Sequence, residues 1–168
     1  MITILAKILK ALNSEQAPSQ LAIAILLAMI VGFTPLFSLH NLLILLLLLF
    51  VRVNISIFIV SYPLFAIIGW LISPLINTIG NLLLENDFLS SFWQYFYNTL
   101  IGRWSEFNFS GVVGGLSVAI VMGLVLYPFL IWGIVKYRNQ IYQKMKNSKF
   151  MVAFKATHFW RIYEKISG

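Results

Sequence analysis

The chain has 168 residues, 60% of them hydrophobic and 10% charged, with a formal net charge of +7 and no cysteine. A soluble domain carries about 25% charged residues, so this composition excludes an ordinary water-soluble globule. The missing thiols exclude disulfides, thiolate metal sites and cysteine nucleophiles.

The apolar runs are too long for core strands or buried core helices, and they lack barrel-type alternation. That predicts an all-α integral membrane protein, residues 1–168 forming a single membrane domain. Residues 1–17 begin "MITILAKILKALN". Ile4, Leu5, Ile8, Leu9 and Leu12 share one helical face, and Lys7 and Lys10 lie off it, which reads as an N-terminal surface helix followed by a polar hinge. The other reading is the start of the first span. No cleavable signal pattern is evident.

Residues 18–54 predict a proline-tipped helical hairpin. Pro18 suits the first helical turn. The run Leu21–Phe33 is interrupted by Pro35, and a second apolar run, Leu42 to Val51, ends at Arg52 and Asn54. The arms, Pro18–Phe33 and Asn41–Val51, are 16 and 11 residues long and rise about 24 Å and about 16 Å, against a hydrocarbon core of about 30 Å. The segment is therefore a re-entrant hairpin, a single long helix kinked through Pro35, or a pair of short full spans. At its tip, Thr34, Ser38 and Asn41 are expected to satisfy backbone groups freed by Pro35, with His40 as a ligand or partner contact.

Residues 55–84 predict a kinked span, either one tilted helix or two broken half-helices. Pro63 and Pro74 fall on nearly the same face, and each frees a carbonyl. Residues 85–110 form the expected external loop. It holds Glu85, Asp87 and Glu106, three of the five acids, with Phe92, Trp93, Tyr95, Phe96, Tyr97 and Trp104. Aromatic rings with polar edges settle at headgroup level, and a short surface helix is expected there.

Residues 111–135 are the last span. Gly111, Gly115, Ala119 and Gly123 make a small-residue stripe for close helix packing onto this chain or a partner, and Pro128 kinks the lower end. The tail, residues 136–168, holds eight of the twelve basic residues on a predicted amphipathic helix. Lys136, Arg138, Lys144, Lys146 and Lys149 are expected on lipid headgroups. No nucleic-acid module surrounds them, so no nucleic-acid partner is expected. By the positive-inside rule both termini are cytoplasmic and the 85–110 loop is outside. The total is two full spans plus the hairpin, or four spans.

A catalytic constellation needs converging acids, bases or nucleophiles. The chain has two histidines far apart, no acid within its apolar segments, and no nucleotide, zinc-protease or nucleophile-elbow motif. No enzyme activity, no metal and no cofactor are expected.

The run "AIAILLAMIVGFTPLFSLHNLLILLLLLFVRVNISIFIV" resembles the DUF2062 family of bacterial membrane proteins. The residues that carry the likeness are Gly32, Pro35, Ser38, His40, Arg52 and Asn54. Two features depart from the family pattern. Ser38 stands where a glycine is usual, and Ser73-Pro74 or Tyr62-Pro63 stands where an Asn-Pro is usual. With "LAKILKALNSE" and "FKATHFWRIYEKI", the whole chain resembles a narrower group of uncharacterised inner-membrane proteins of Gram-negative bacteria. The resemblance implies inner-membrane localisation and hints at a second envelope protein as partner; it implies no activity.

The expected function is that of a non-enzymatic inner-membrane subunit of an envelope complex that handles phospholipid. The alternative is a small transporter or channel acting as a homo-oligomer, its path lined by the helices broken at Pro35, Pro63 and Pro74.

Overall fold

The computed structural model describes residues 16–142. The expected N-terminal surface helix and most of the basic tail, including Lys144, Lys146 and Lys149, lie outside the described residues. Within them all regular structure is helical: α1 (Pro18–Phe33), α2 (Leu39–Phe50), α3 (Ile55–Leu71), α4 (Ser73–Leu84), α5 (Asp87–Tyr97), α6 (Leu100–Trp104) and α7 (Ser110–Lys136), which runs into a π-helical turn, Tyr137–Tyr142.

The first boundaries follow local chemistry. Pro18 opens α1, where its absent N–H is an orphan donor in any case. Pro35 ends it by forcing Thr34 into extended backbone, φ −117° and ψ 158°. Asn54 caps α3, its Oδ1 accepting from Ile57 N at 2.9 Å.

The prolines expected to kink the later helices behave differently from one another. Pro63 and Pro128 lie inside continuous helices and end neither. The break comes at Ile72, just before Pro74, where α3 and α4 diverge by 73°. Residues 55–84 are thus two helices, and Pro74 sits in the first turn of the second. The 85–110 segment, expected as a loop with one short helix, is largely helical as α5 and α6.

α1 is the central element and packs chiefly against α3 and α7. Its Leu21, Ala22, Ala24, Ala28 and Met29 are fully buried. α3 rises alongside it, and the two cross at a pair of glycines. A Cβ on Gly32 would fall 2.7 Å from Phe65 Cβ, and one on Gly69 would fall 2.6 Å from the Gly32 carbonyl. α7 runs the other way. Its start lies by the end of α1, where Gly115 meets the Phe33 carbonyl, and Gly123 faces Met29 and Leu26. Its far end reaches the beginning of α1, where Arg138 Nη1 donates to the Gln16 carbonyl at 2.9 Å.

The stripe of Gly115, Ala119 and Gly123 therefore packs against this chain's own α1. Gly111, the first residue of the stripe, lies instead beside Asn77 of α4. A second close approach uses a different face of α7, where Gly80 of α4 meets the Ser110 carbonyl and Gly114 of α7 meets the Ile76 carbonyl of α4.

α2 returns beside the bundle with little of its surface covered. Leu48 is buried and Ile44 packs on the same cluster of α1 and α3 side chains. Leu42, Leu43, Leu46, Leu49 and Phe50 are exposed. Ser110–Gln140 is one helix long and apolar enough to cross a membrane, and the bent α3–α4 pair would make a second if it counts as one span.

Candidate functional site

The α1–α2 hairpin gathers its polar residues into one knot at the tip. Thr34, Ser38 and Asn41 are all buried, Asn41 completely. Counting protons assigns the bonds. The Thr34 hydroxyl donates to the Ile30 carbonyl at 2.8 Å. The Asn41 amide spends both protons, on Thr34 Oγ1 at 3.0 Å and on the Pro35 carbonyl at 2.8 Å. Ser38 Oγ donates to the same carbonyl at 2.6 Å.

The Pro35 carbonyl is thus the hub, with Asn41 and Ser38 turned onto it. Thr34, Ser38 and Asn41 were expected to satisfy freed backbone groups, and each of them donates to a backbone carbonyl. Ser38 holds the N-cap position of α2 but makes no side-chain cap bond there.

His40 joins from one side. Its Nε2 lies 3.2 Å from Ser38 Oγ. The single Ser38 proton is already on Pro35, so the histidine is the donor, and the neutral ring carries its hydrogen on Nε2. Nδ1 is then an acceptor, buried and with no hydrogen-bond partner among the described residues.

The ring of His40 lies 6.2 Å from that of Phe107. Phe107 stacks on Phe96 at 5.7 Å, and Phe96 on Phe92 at 5.9 Å. An aromatic path therefore links the hairpin tip to α5. Two polar edges brace it: Trp93 Nε1 donates to the Leu83 carbonyl at 3.0 Å, and Tyr97 OH to the Phe107 carbonyl at 2.9 Å. Burial pushes the Tyr97 phenol above its ordinary 10.0. α5, α6 and the 105–109 turn form a cap over the tip.

Between the tip and this cap is a groove of about 540 Å³, lined by Leu36, Phe37, Leu42, Leu45, Trp104 and Glu106, together with Ser38 and Leu39. That volume falls within the usual range of small-molecule sites, about 300–1,000 Å³. Its walls are mostly apolar. Glu106 is its one ionisable lining residue. Residue types near the tip pointed to Ser38 and His40; Trp104 and Glu106 were legible only as parts of an interfacial segment.

At the other end of the bundle, Asn54 Nδ2 donates to Gln16 Oε1 at 2.7 Å. With the Arg138 bond to the Gln16 carbonyl, this ties the start of α1, the end of the hairpin and the end of α7 together. Lys136 lies over the Trp132 ring at 4.5 Å. Among the described residues no group of three His, Cys, Asp or Glu is placed to hold a metal ion.

A sequence model of the family described as "Uncharacterized protein conserved in bacteria (DUF2062)" matches residues 3–143. No curated protein and no solved structure matches the chain. Of the residues that carry the family likeness, Gly32 sits at the α1–α3 crossing, Pro35, Ser38 and His40 belong to the knot, and Asn54 caps α3. Arg52 is exposed at the base of the hairpin.

Proposed function

The chain belongs to the DUF2062 family of bacterial proteins, and from its own geometry we propose that it is a non-enzymatic inner-membrane subunit that holds phospholipid in the groove beside the hairpin tip. The groove is the observation that carries this reading. It joins apolar side chains, Leu36, Phe37, Leu39, Leu42 and Leu45, to a polar set, Ser38, Trp104 and Glu106. A phospholipid has that same division between acyl chain and headgroup.

The surface supports a membrane setting. The exposed leucines of α2 are joined by Ile59, Leu64 and Ile67 of α3 and by Val121, Leu124 and Val125 of α7. Soluble monomers rarely leave continuous apolar patches larger than a few hundred Å². In a bilayer those side chains meet acyl chains. The cap has Glu85, Asp87 and Glu106 against Arg103, while the opposite end has Arg52, Lys136 and Arg138. The positive-inside rule then puts the cap on the outer side and both chain ends in the cytoplasm.

α1 spans about 24 Å at 1.5 Å per residue, less than the hydrocarbon thickness of about 30 Å. The tip packs beside Gly115, five residues past the first residue of α7. In this reading the tip lies within the outer leaflet beneath the aromatic cap, and the knot satisfies its backbone there. The uncovered face of α2 is left to lipid or to a second envelope protein.

The test is lipid retention. The full chain is purified in mild detergent and bound phospholipid is measured by extraction and mass spectrometry. Leu42→Trp and Leu45→Trp fill the groove and are expected to cut retained phospholipid several-fold, with helicity and thermal unfolding unchanged. Equal retention by both variants, or wild-type retention no higher than that of an unrelated single helix, sinks the reading. Solute flux through a homo-oligomer that retains no lipid would favour a small transporter instead.

A further inference from the structure

We infer that the occupant of the groove is an aminophospholipid, its primary ammonium on Glu106 and one acyl chain along Leu42 and Leu45. This rests on the reading of the groove as a lipid site and adds the class of headgroup.

The first observation is charge. Glu106 is the ionisable group that lines the groove, and its carboxylate makes no hydrogen bond or ion pair among the described residues. Of the other polar lining side chains, Ser38 has its proton committed to Pro35 and its oxygen to His40, and Trp104 carries an indole N–H donor but no charge. The one charged group that lines the groove among the described residues is therefore an anion. A phosphate-only headgroup would meet like charge there, while an ammonium would gain a charge-assisted hydrogen bond.

The second observation is the backbone. Glu106 has φ 58°, the one positive φ at a non-glycine residue among those described. The left-handed region disfavours a β-carbon, and glycine or asparagine would sit there more easily. The turn is held by Phe109 N donating to the Glu106 carbonyl at 3.0 Å, with Phe107 N on Ser105 Oγ at 3.4 Å. A costly conformation that presents a carboxylate to a groove is the kind of strain found at ligand sites.

The third observation is Trp104, 75% exposed and lining the same groove. An indole face attracts a cation, and its ring is well suited to headgroup depth. Carboxylate, indole and leucines thus line one groove.

The experiment reconstitutes the full chain in bilayers of equal phosphatidylethanolamine and phosphatidylglycerol, extracts it in mild detergent, and measures both lipids bound. Wild type is expected to enrich the ammonium lipid about five- to tenfold, roughly the ratio one interfacial charge-assisted bond supplies. Glu106→Gln is expected to bring the ratio close to one while total bound lipid stays the same. Glu106→Gly, which also relieves the backbone, should lose the preference without losing stability, and Glu106→Asp should keep part of it. Equal binding of both lipids by wild type, with total lipid still lowered by Leu42→Trp, overturns the headgroup assignment and leaves the groove reading standing. Retained enrichment in Glu106→Gln also overturns it. Absence of bound lipid in wild type overturns both.

Discussion

The knot at the hairpin tip makes a quantitative demand on Asn41. Truncation to alanine removes two donated hydrogen bonds in a fully buried position, to Thr34 Oγ1 and to the Pro35 carbonyl. A buried bond contributes about 0.5–1.5 kcal/mol net in water-soluble proteins, and side-chain bonds between helices in a bilayer average about 0.6 kcal/mol. Two bonds give about 1–3 kcal/mol. The Pro35 carbonyl keeps its bond from Ser38, and the Thr34 hydroxyl keeps the bond it donates to Ile30, so neither former partner is left without a hydrogen bond. Asn41→Ala is therefore expected to destabilise by about 1–3 kcal/mol. The assay is reversible unfolding of the full chain in detergent, followed by far-ultraviolet circular dichroism. Thr34→Val removes the shared partner at constant volume. A double-mutant cycle should return a coupling of about 0.5–1 kcal/mol for the Asn41–Thr34 bond. Additivity of the two substitutions within about 0.3 kcal/mol, or an Asn41→Ala loss below about 0.5 kcal/mol, would refute the proton assignment.

Two further outcomes test other parts of the bundle. Gly114→Val would drive a side chain into the Ile76 carbonyl and is expected to abolish folding, whereas Gly133→Ala, with nothing within 4 Å among the described residues, should stabilise α7 by about 0.5–1 kcal/mol; thermal unfolding of the two variants checks both. Tyr97 supplies a pH dependence. Its raised phenol means that the folded chain holds the proton more tightly, so this stabilisation is full below the unfolded value near 10.0 and is lost as pH climbs through that value towards the raised one. Unfolding midpoints measured on either side of that value should fall less steeply with pH in Tyr97→Phe than in wild type.

What the chain made legible was mostly local. Pro18, Pro35 and Asn54 act within one turn of themselves, so the hairpin's limits could be read from residue types alone. The ranking of Asn41 and His40 could not. Both are polar and adjacent, and only the geometry says whose protons are spent on Pro35. The prolines show the same limit. Pro63 and Pro74 look equivalent in sequence, but the helix breaks at the second, where the glycines on either side serve different partners: Gly69 meets α1 and Gly80 meets α7.

The small-residue stripe identified a packing face on α7 without naming its neighbour. Counting every fourth residue missed Gly114, which serves another face. The groove was beyond reach altogether. Leu42 and Leu45 meet Trp104 and Glu106 across a separation of about sixty residues, and no periodicity joins them.

The locality of the hairpin knot also bears on how the protein is made. Every bond that Thr34, Ser38 and Asn41 donate ends within residues 30–41. The tip can therefore close its polar accounts as soon as that short stretch has left the ribosome. The helix behind it cannot. The α7 face that covers Phe33 and Met29 is translated about eighty residues later, a wait on the order of 4–16 s at about 5–20 residues per second. During that interval α1 stands beside α2 and α3 with a bare flank. A nascent chain held at this stage has its turn complete and its central helix unsealed, which makes it the form most open to a chaperone, an insertase or a wrong partner.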